Sequence, residues 1–296
     1  MKNLWLLFCI LPSLVSAQEV LFSELPPALH QQYELSAMDS RDDTLYIMSE
    51  NCATVFKYYP DTETLTILPL TLSDQEYDIE GIALYQQYLF FSNEASNTIH
   101  LLDLHTGKEL PLDVDSSFGP CQDFKRGKGI EGLEIDEKRG ILYALRESNF
   151  WFSEASLYCF QIEWKNGQCT LSLLADHEEF LLQLPDGERY TDMALMPNSN
   201  ELYLFRSKRG TYGMDILPLA QINGLPTQEE LSRADFRQHN FSAAINTQGE
   251  KGYNTNVEGI APIGDILYLI SDNVFGEGDC GEEGSKPVFG KIFNFQ

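Results

Sequence analysis

The segment NVEGIAPIGDILYLISDN, Asn256 to Asn273, has counterparts at four other places along the chain. The clear copies are YDIEGIALYQQYLFFSNE (Tyr77 to Glu94) and KGIEGLEIDEKRGILYALRES (Lys128 to Ser148). Weaker ones are YELSAMDSRDDTLYIMSEN (Tyr33 to Asn51) and YTDMALMPNSNELYLFRSK (Tyr190 to Lys208). Each holds two short β-rich runs joined by a turn, and most are followed by two further runs, enough for a four-stranded antiparallel sheet. Aligned on Glu34, Glu80, Glu131, Thr191 and Glu258, the copies are spaced by 46, 51, 60 and 67 residues. A repeat of that length and irregularity suits propeller blades of about 40 to 50 residues with some long loops, and not a solenoid.

The expected fold is therefore all-β, a five-bladed β-propeller over residues 18–296, read as a single domain. Six blades are the alternative if the long stretch Ile216 to Thr255 hides one. The last copy has only three evident strands, and the run Glu19 to Leu25 has no blade of its own. An N-terminal strand closing the last blade resolves both. In the third copy Asn166-Gly167 is a two-residue hairpin turn. It opposes Trp164 to Cys169 and Cys159 to Leu174, so Cys159 and Cys169 are out of register for a disulfide.

Residues 1–17 read as a secretory signal: Lys2, an apolar run from Leu4 to Val15, and small residues at Val15-Ser16-Ala17 before Gln18. The run is shorter than the ~20 residues of a spanning helix, so the mature chain is expected to be exported, periplasmic or secreted, with no membrane insertion. Loss of that segment removes one lysine and no acid, taking the net charge from −25 to −26. Such a field repels nucleic acid and anionic lipid and favours cations. Five cysteines remain, an odd number, leaving at least one free thiol. Cys52 and Cys280 fall on the same side of adjoining first and last blades and form a candidate bridge.

In a blade the innermost strand lines the channel and the second returns antiparallel, so the start of one and the end of the other share a face. This places Glu34, Glu80, Glu131 and Glu258 around one mouth, beside Glu50, Asn93, Glu94, Arg146, Glu147, Arg206, Asp272 and Asn273. Converging carboxylates resist ionising together, and a bound cation relieves them. Oxygen ligands suit Ca2+ first, and the five histidines show no zinc spacing. The expected metal ligands are Glu80, Glu131, Glu258, Asp272 and Asn273. The competing reading is that each Glu hydrogen-bonds backbone amides of the neighbouring blade. The loop Gly276 to Gly284 is a second acidic feature whose order does not match an EF-hand. Scarce basic residues near the mouth, Arg146 and Arg206 among them, suit a small anionic ligand or phosphate ester held in a fork.

Three stretches, GIEGLEIDEKRGILYALRE, YTDMALMPNSNELYLFRSKRG and NVEGIAPIGDILYLISDNVFG, resemble the phytase-like ("esterase-like activity of phytase") propeller family. Thr191-Asp192 with Arg206 downstream, then the last Glu-Gly with Ser271-Asp272-Asn273, carry the likeness best. The resemblance implies an exported propeller and a calcium-dependent phosphoesterase; for that chemistry the mouth residues Glu131, Arg146 and Arg206 are the expected catalytic candidates. The sequence departs from the family's pattern at Leu35, where Gly is expected, and at Thr191, where the fourth Glu is expected. Two other functions stay open: a non-catalytic ligand- or protein-binding propeller at the cell envelope, and a lactonase-like sugar-acid hydrolase. No Gly-x-Ser-x-Gly elbow, phosphate loop or metalloprotease helix motif occurs, so serine-hydrolase chemistry is disfavoured.

Overall fold

The structure, a computed structural model, describes residues 20–31, 33–50, 52–72, 77–94, 96–115, 118, 129–148, 154–174, 180–184, 187–197, 199–208, 210–219, 236–272 and 284–293. Residues 1–17, expected to be a leader, Asn273, Cys280 and residues 276–283 of the acidic loop lie outside these residues. None of the described helices is long and apolar enough to cross a membrane.

Five blades surround a channel. Their inner strands are Leu35–Arg41, Ile79–Tyr85, Ile130–Asp136, Arg189–Leu195 and Val257–Ile263. Each packs on the inner strands before and after it, and the fifth packs on the first. Five apolar clusters form the core, one between each pair of neighbouring blades. Leu45 and Phe56 of the first blade, for example, meet Tyr268 and Phe289 of the last. A blade is thus apolar on both faces and stable only between two others, which is why the repeat has to close.

The expected closure is observed. Val20–Ser23 pairs antiparallel with Phe289–Ile292 and completes the last blade as its outer strand. Register around Asn166-Gly167 also agrees. Trp164 faces Cys169, the Leu174 amide donates to the Cys159 carbonyl, and both cysteines are free and buried. Cys52 is disulfide-bonded; its suggested partner, Cys280, is not among the described residues. Two departures concern outer elements. The outer strand of the second blade is only Lys108–Leu110, and the next strand, Leu112–Val114, leaves that blade to pair parallel with Gln168–Leu173 of the following one. The stretch between Ile216 and Thr255 hides no sixth blade among its described residues. It supplies the outer strand Arg237–Asn240 and a short helix, Ser242–Gly249, whose apolar residues have no clear helical period.

The glycine of each Glu-Gly pair has a packing cause. A methyl group at Gly81 would lie 2.8 Å from the Glu131 carbonyl oxygen and 2.9 Å from the Leu133 amide nitrogen. Only a bare α-carbon lets the second and third inner strands approach this closely. Gly81→Ala should therefore lower stability by about 1–3 kcal/mol through overpacking, read as a drop in the denaturation midpoint. An unchanged midpoint would show that the two strands can separate freely.

Candidate functional site

Every inner strand carries an irregularity in its pairing with the second strand, at the same place. It falls at Ser36, Glu80-Gly81, Glu131, Thr191 and Glu258. A bulge inserts an unpaired residue and re-aims its side chain, so the recurring glutamate is the bulge residue of its blade. This corrects the alignment of the first copy. Ser36, not Glu34, occupies the glutamate position there, and Ala37, not Leu35, the glycine position.

Glu34 belongs to the position just before the strand, where the register aligns it with Asp78, Gly129, Arg189 and Asn256. Opposite these, at the exit of each second strand, stand Glu50, Glu94, Glu147, Ser207 and Asp272. The backbone fixes the match: the amides of Glu50, Glu94, Glu147 and Asp272 donate to the carbonyls of Glu34, Asp78, Gly129 and Asn256. Arg189 pairs with Ser207. Acid occupies four of those five exits.

Two carboxylate groups result. Oxygens of Glu94, Glu131 and Glu147 lie within 4.8 Å of one another, as do those of Glu50, Asp78 and Glu80. Burial drives the Glu80 and Glu131 carboxyls well above the usual range. Glu131 adds most to the effect on Glu80, and Glu147 adds to that on Glu131. Burial, then the hydrogen-bonded Asp78, push Glu50 up to about 10. Burial likewise raises Glu94, although its Oε1 accepts the Gly129 amide at 2.8 Å.

Arg189 joins the third and fifth blades across the mouth. Its guanidinium donates to Glu147 Oε1 at 2.7 Å and to Glu258 Oε1 at 2.8 Å. Burial pushes Glu258 up to about 7, with Arg189 pulling the other way and Asp272 adding to the rise. Glu147 Oε2, Glu258 Oε2 and the Thr191 hydroxyl are buried without a hydrogen-bond partner among the described residues. A buried carboxylate oxygen is stabilised only by a donor or a cation. These oxygens, beside the Glu94–Glu131–Glu147 group, fit a hard divalent ion.

Of the expected ligands, Glu80 and Glu131 each enter one of the two groups and Glu258 holds Arg189. Asp272 raises both Glu50 and Glu258 through its charge and so faces the same mouth. Asn273 lies outside the described residues. Arg146 ends its strand opposite Ile130, directly before Glu147. Arg206 requires correction. It is buried, bonded to Glu188, and its Nε lies 2.9 Å from Asp215, whose carboxylate also accepts the Tyr190 hydroxyl. Its charge is consumed within the fourth blade, whereas Arg189 reaches the carboxylates. The available signal for Arg189 was its place two residues before Thr191, in the blade that lacks the glutamate.

The backbone-bonding alternative holds for a different set of acids, farther along the inner strands. Asp39, Glu134 and Asp192 accept the amides of Leu84, Leu195 and Ile260 in the following blade, at 2.6, 2.6 and 2.7 Å. They tie inner strands together and leave the mouth to the bulge and exit acids. Burial raises Asp39 to about 6 and pushes Glu134 and Asp192 well upward.

The model of the family described as "Phytase-like: Esterase-like activity of phytase" matches residues 35–275. No match is found among curated proteins. Among solved structures, Myxococcus xanthus glutaminyl cyclase is similar at 11% identity and TM-score 0.50, over 94% of this chain and 98% of that one. A calcium-binding protein, regucalcin, from Agrobacterium tumefaciens is similar at 12% identity and TM-score 0.48, over 93% and 96%. A Kuenenia stuttgartiensis hydrazine synthase chain is similar at 12% identity and TM-score 0.42; this chain aligns over 90% of its own length and spans 64% of that one. At such identities the likeness concerns the fold alone.

Proposed function

The chain belongs to the phytase-like family, and from that premise we propose that it is an exported hydrolase of phosphate esters whose acidic mouth binds calcium. The observation carrying this reading is the pair of buried, unpartnered oxygens, Glu147 Oε2 and Glu258 Oε2, beside two convergent carboxylate groups. Glu94, Glu131 and Glu147 would hold the ion, with Glu50, Asp78 and Glu80 as a second set. Calcium, when bound, polarises a phosphoryl oxygen and acidifies water.

The remaining work falls to the chain's own groups. Arg189 neutralises part of the carboxylate charge, so that an anionic ester meets a weaker repulsion. Arg146, at the strand end beside Glu147, would steady the charge that develops on the phosphoryl oxygens. A carboxylate of the mouth that does not hold the ion would take the proton of the attacking water. With a net charge of −26 once residues 1–17 are lost, the exported protein would repel a free phosphate ester at long range. Turnover should therefore depend on calcium at any substrate concentration.

Calorimetric titration of the purified protein with calcium, followed by assays on phosphomonoesters, phosphodiesters and carboxyl esters, tests this directly. Calcium-dependent phosphate release that falls at least about 100-fold in Glu131→Gln is expected. Tight calcium binding with no turnover on any phosphate ester would make the mouth a binding site only. No calcium binding would overturn the reading altogether.

A further inference from the structure

On the outer flank of the second blade, a line of hydrogen bonds has the form of a nucleophile, a base and an orienting acid. Ser96 Oγ lies 2.6 Å from Thr98 Oγ1, Thr98 Oγ1 lies 2.6 Å from His100 Nε2, and His100 Nδ1 lies 2.6 Å from Glu109 Oε1. Chemistry fixes the direction. A carboxylate only accepts, so the His100 Nδ1 proton points at Glu109; Nε2 is then an acceptor and takes the Thr98 hydroxyl proton, while Ser96 donates to Thr98 oxygen. The imidazole is held in place. It stacks on Phe91 at a centroid distance of 4.9 Å, and the Tyr77 hydroxyl donates to the other Glu109 oxygen at 3.3 Å. Strand geometry accounts for the spacing. Thr98 and Ile99 begin a strand in which residues 98 and 100 share one face, Ser96 lies in the turn just before it, and Glu109 comes from the neighbouring outer strand, Lys108–Leu110.

The relay opens on a cavity of about 450 Å³, lined by Thr98, His100 and Glu109 on one side and by Leu110, Val114 and Phe118 on the other. Thr98 is exposed, while the His100 and Glu109 side chains are 13% and 15% exposed. A base shielded from water beside a reachable hydroxyl is the arrangement that activates a nucleophile. Asn97, on the same cavity wall, has a buried carboxamide oxygen without a partner among the described residues.

We propose that Thr98, His100 and Glu109 form a second, metal-independent hydrolytic site that cleaves carboxyl esters bearing a short apolar acyl group. Thr98 oxygen bonds to the ester carbonyl carbon and its proton passes to His100 Nε2. The carbon–oxygen bond to the alcohol breaks, and the alkoxide leaves with that proton. Water then attacks the acyl-threonine, giving one proton to His100 and hydroxide to the carbonyl carbon. The carboxylic acid departs and the proton returns to Thr98 oxygen. Glu109 holds the imidazole tautomer throughout and stabilises its charged form. The sequence hides this site because no elbow motif frames Thr98; the partners come from two strands.

The test uses the whole protein in excess chelator, with p-nitrophenyl acetate and butyrate as probes and intact-mass measurement of the quenched enzyme. Nitrophenol release is expected in chelator, with a single acyl group mapping to Thr98. Thr98→Val, which keeps the shape and removes the hydroxyl, and His100→Ala should each slow release roughly 100-fold or more. Either result overturns the proposal: no acyl-enzyme and no release above buffer in the wild type, or equal rates in Thr98→Val. Acylation of Ser96 in place of Thr98 would overturn the assignment of the nucleophile. Because every arm excludes metal, failure here leaves the calcium reading of the mouth standing, and failure of that reading leaves this one standing.

Discussion

Arg189→Met should lower the melting midpoint of the calcium-free protein by roughly 6–12 °C at pH 8, and calcium should recover most of the loss. The guanidinium is the shared partner of Glu147 and Glu258, whose side chains are 4% and 8% exposed. Removing one member of a buried ion pair typically costs about 3–5 kcal/mol, because the charge left behind keeps its desolvation cost without compensation. Arg189 is itself 29% exposed, which argues for the lower end, and about 3 kcal/mol corresponds to that range of midpoint in a chain of this size. The calcium-induced rise should accordingly be larger in the variant than in the wild type. Arg189→Lys keeps the charge but loses the fork that reaches two blades at once, so its midpoint should fall between the two. Equal midpoints for all three proteins in chelator would mean that the two glutamates do not need the arginine.

The second large effect is the pH dependence of stability, which calcium should remove. In chelator, Glu258 holds its proton to about pH 7 and Glu50 to about 10 in the folded chain, against 4.5 for a free glutamate. Asp39 holds its proton to about 6, against 3.8. Above the ordinary values the unfolded chain has released these protons and the folded chain has not. The folded state then binds more protons, and stability falls as pH rises. The stabilisation is complete below about pH 4.5 and is lost through 7 for Glu258, with Glu50 extending the decline toward 10. Glu258 alone contributes on the order of 3 kcal/mol between those limits. Calcium needs the charged carboxylates, so it offsets the slope by displacing their protons. Melting curves from pH 5 to 8 should descend in chelator and flatten in calcium, and calcium titrations in two buffers of different ionisation heat should reveal proton release. A flat profile in chelator would place these acids in water and remove the reason for an ion.

Both effects rest on residues that the repeat made partly visible. Glu131 and Glu258 stand out because a charged residue recurs before a glycine in a β-rich run, and the closing N-terminal strand follows from a blade one strand short. Cys159 and Cys169 could be separated because a two-residue turn fixes local register. All of these depend on neighbours in sequence, where side-chain alternation and turn geometry are enough. The chain by itself determined an all-β ring of five repeats with acid at one opening.

Which acids meet, and what answers them, was decided by the tertiary structure. A bulge adds one residue and shifts everything after it to the other face. Its place in the first blade moved the ring position from Glu34 to Ser36, two residues that sequence alignment alone could not tell apart. The same register brought Glu50, Glu94, Glu147 and Asp272 to equivalent exits, sent Arg206 into its own blade toward Glu188 and Asp215, and carried Arg189 across to Glu147 and Glu258. Those partners are 42 and 69 residues from Arg189 in the chain. No local period encodes such a pairing, because it arises only when the ring has closed and has buried these charged groups side by side.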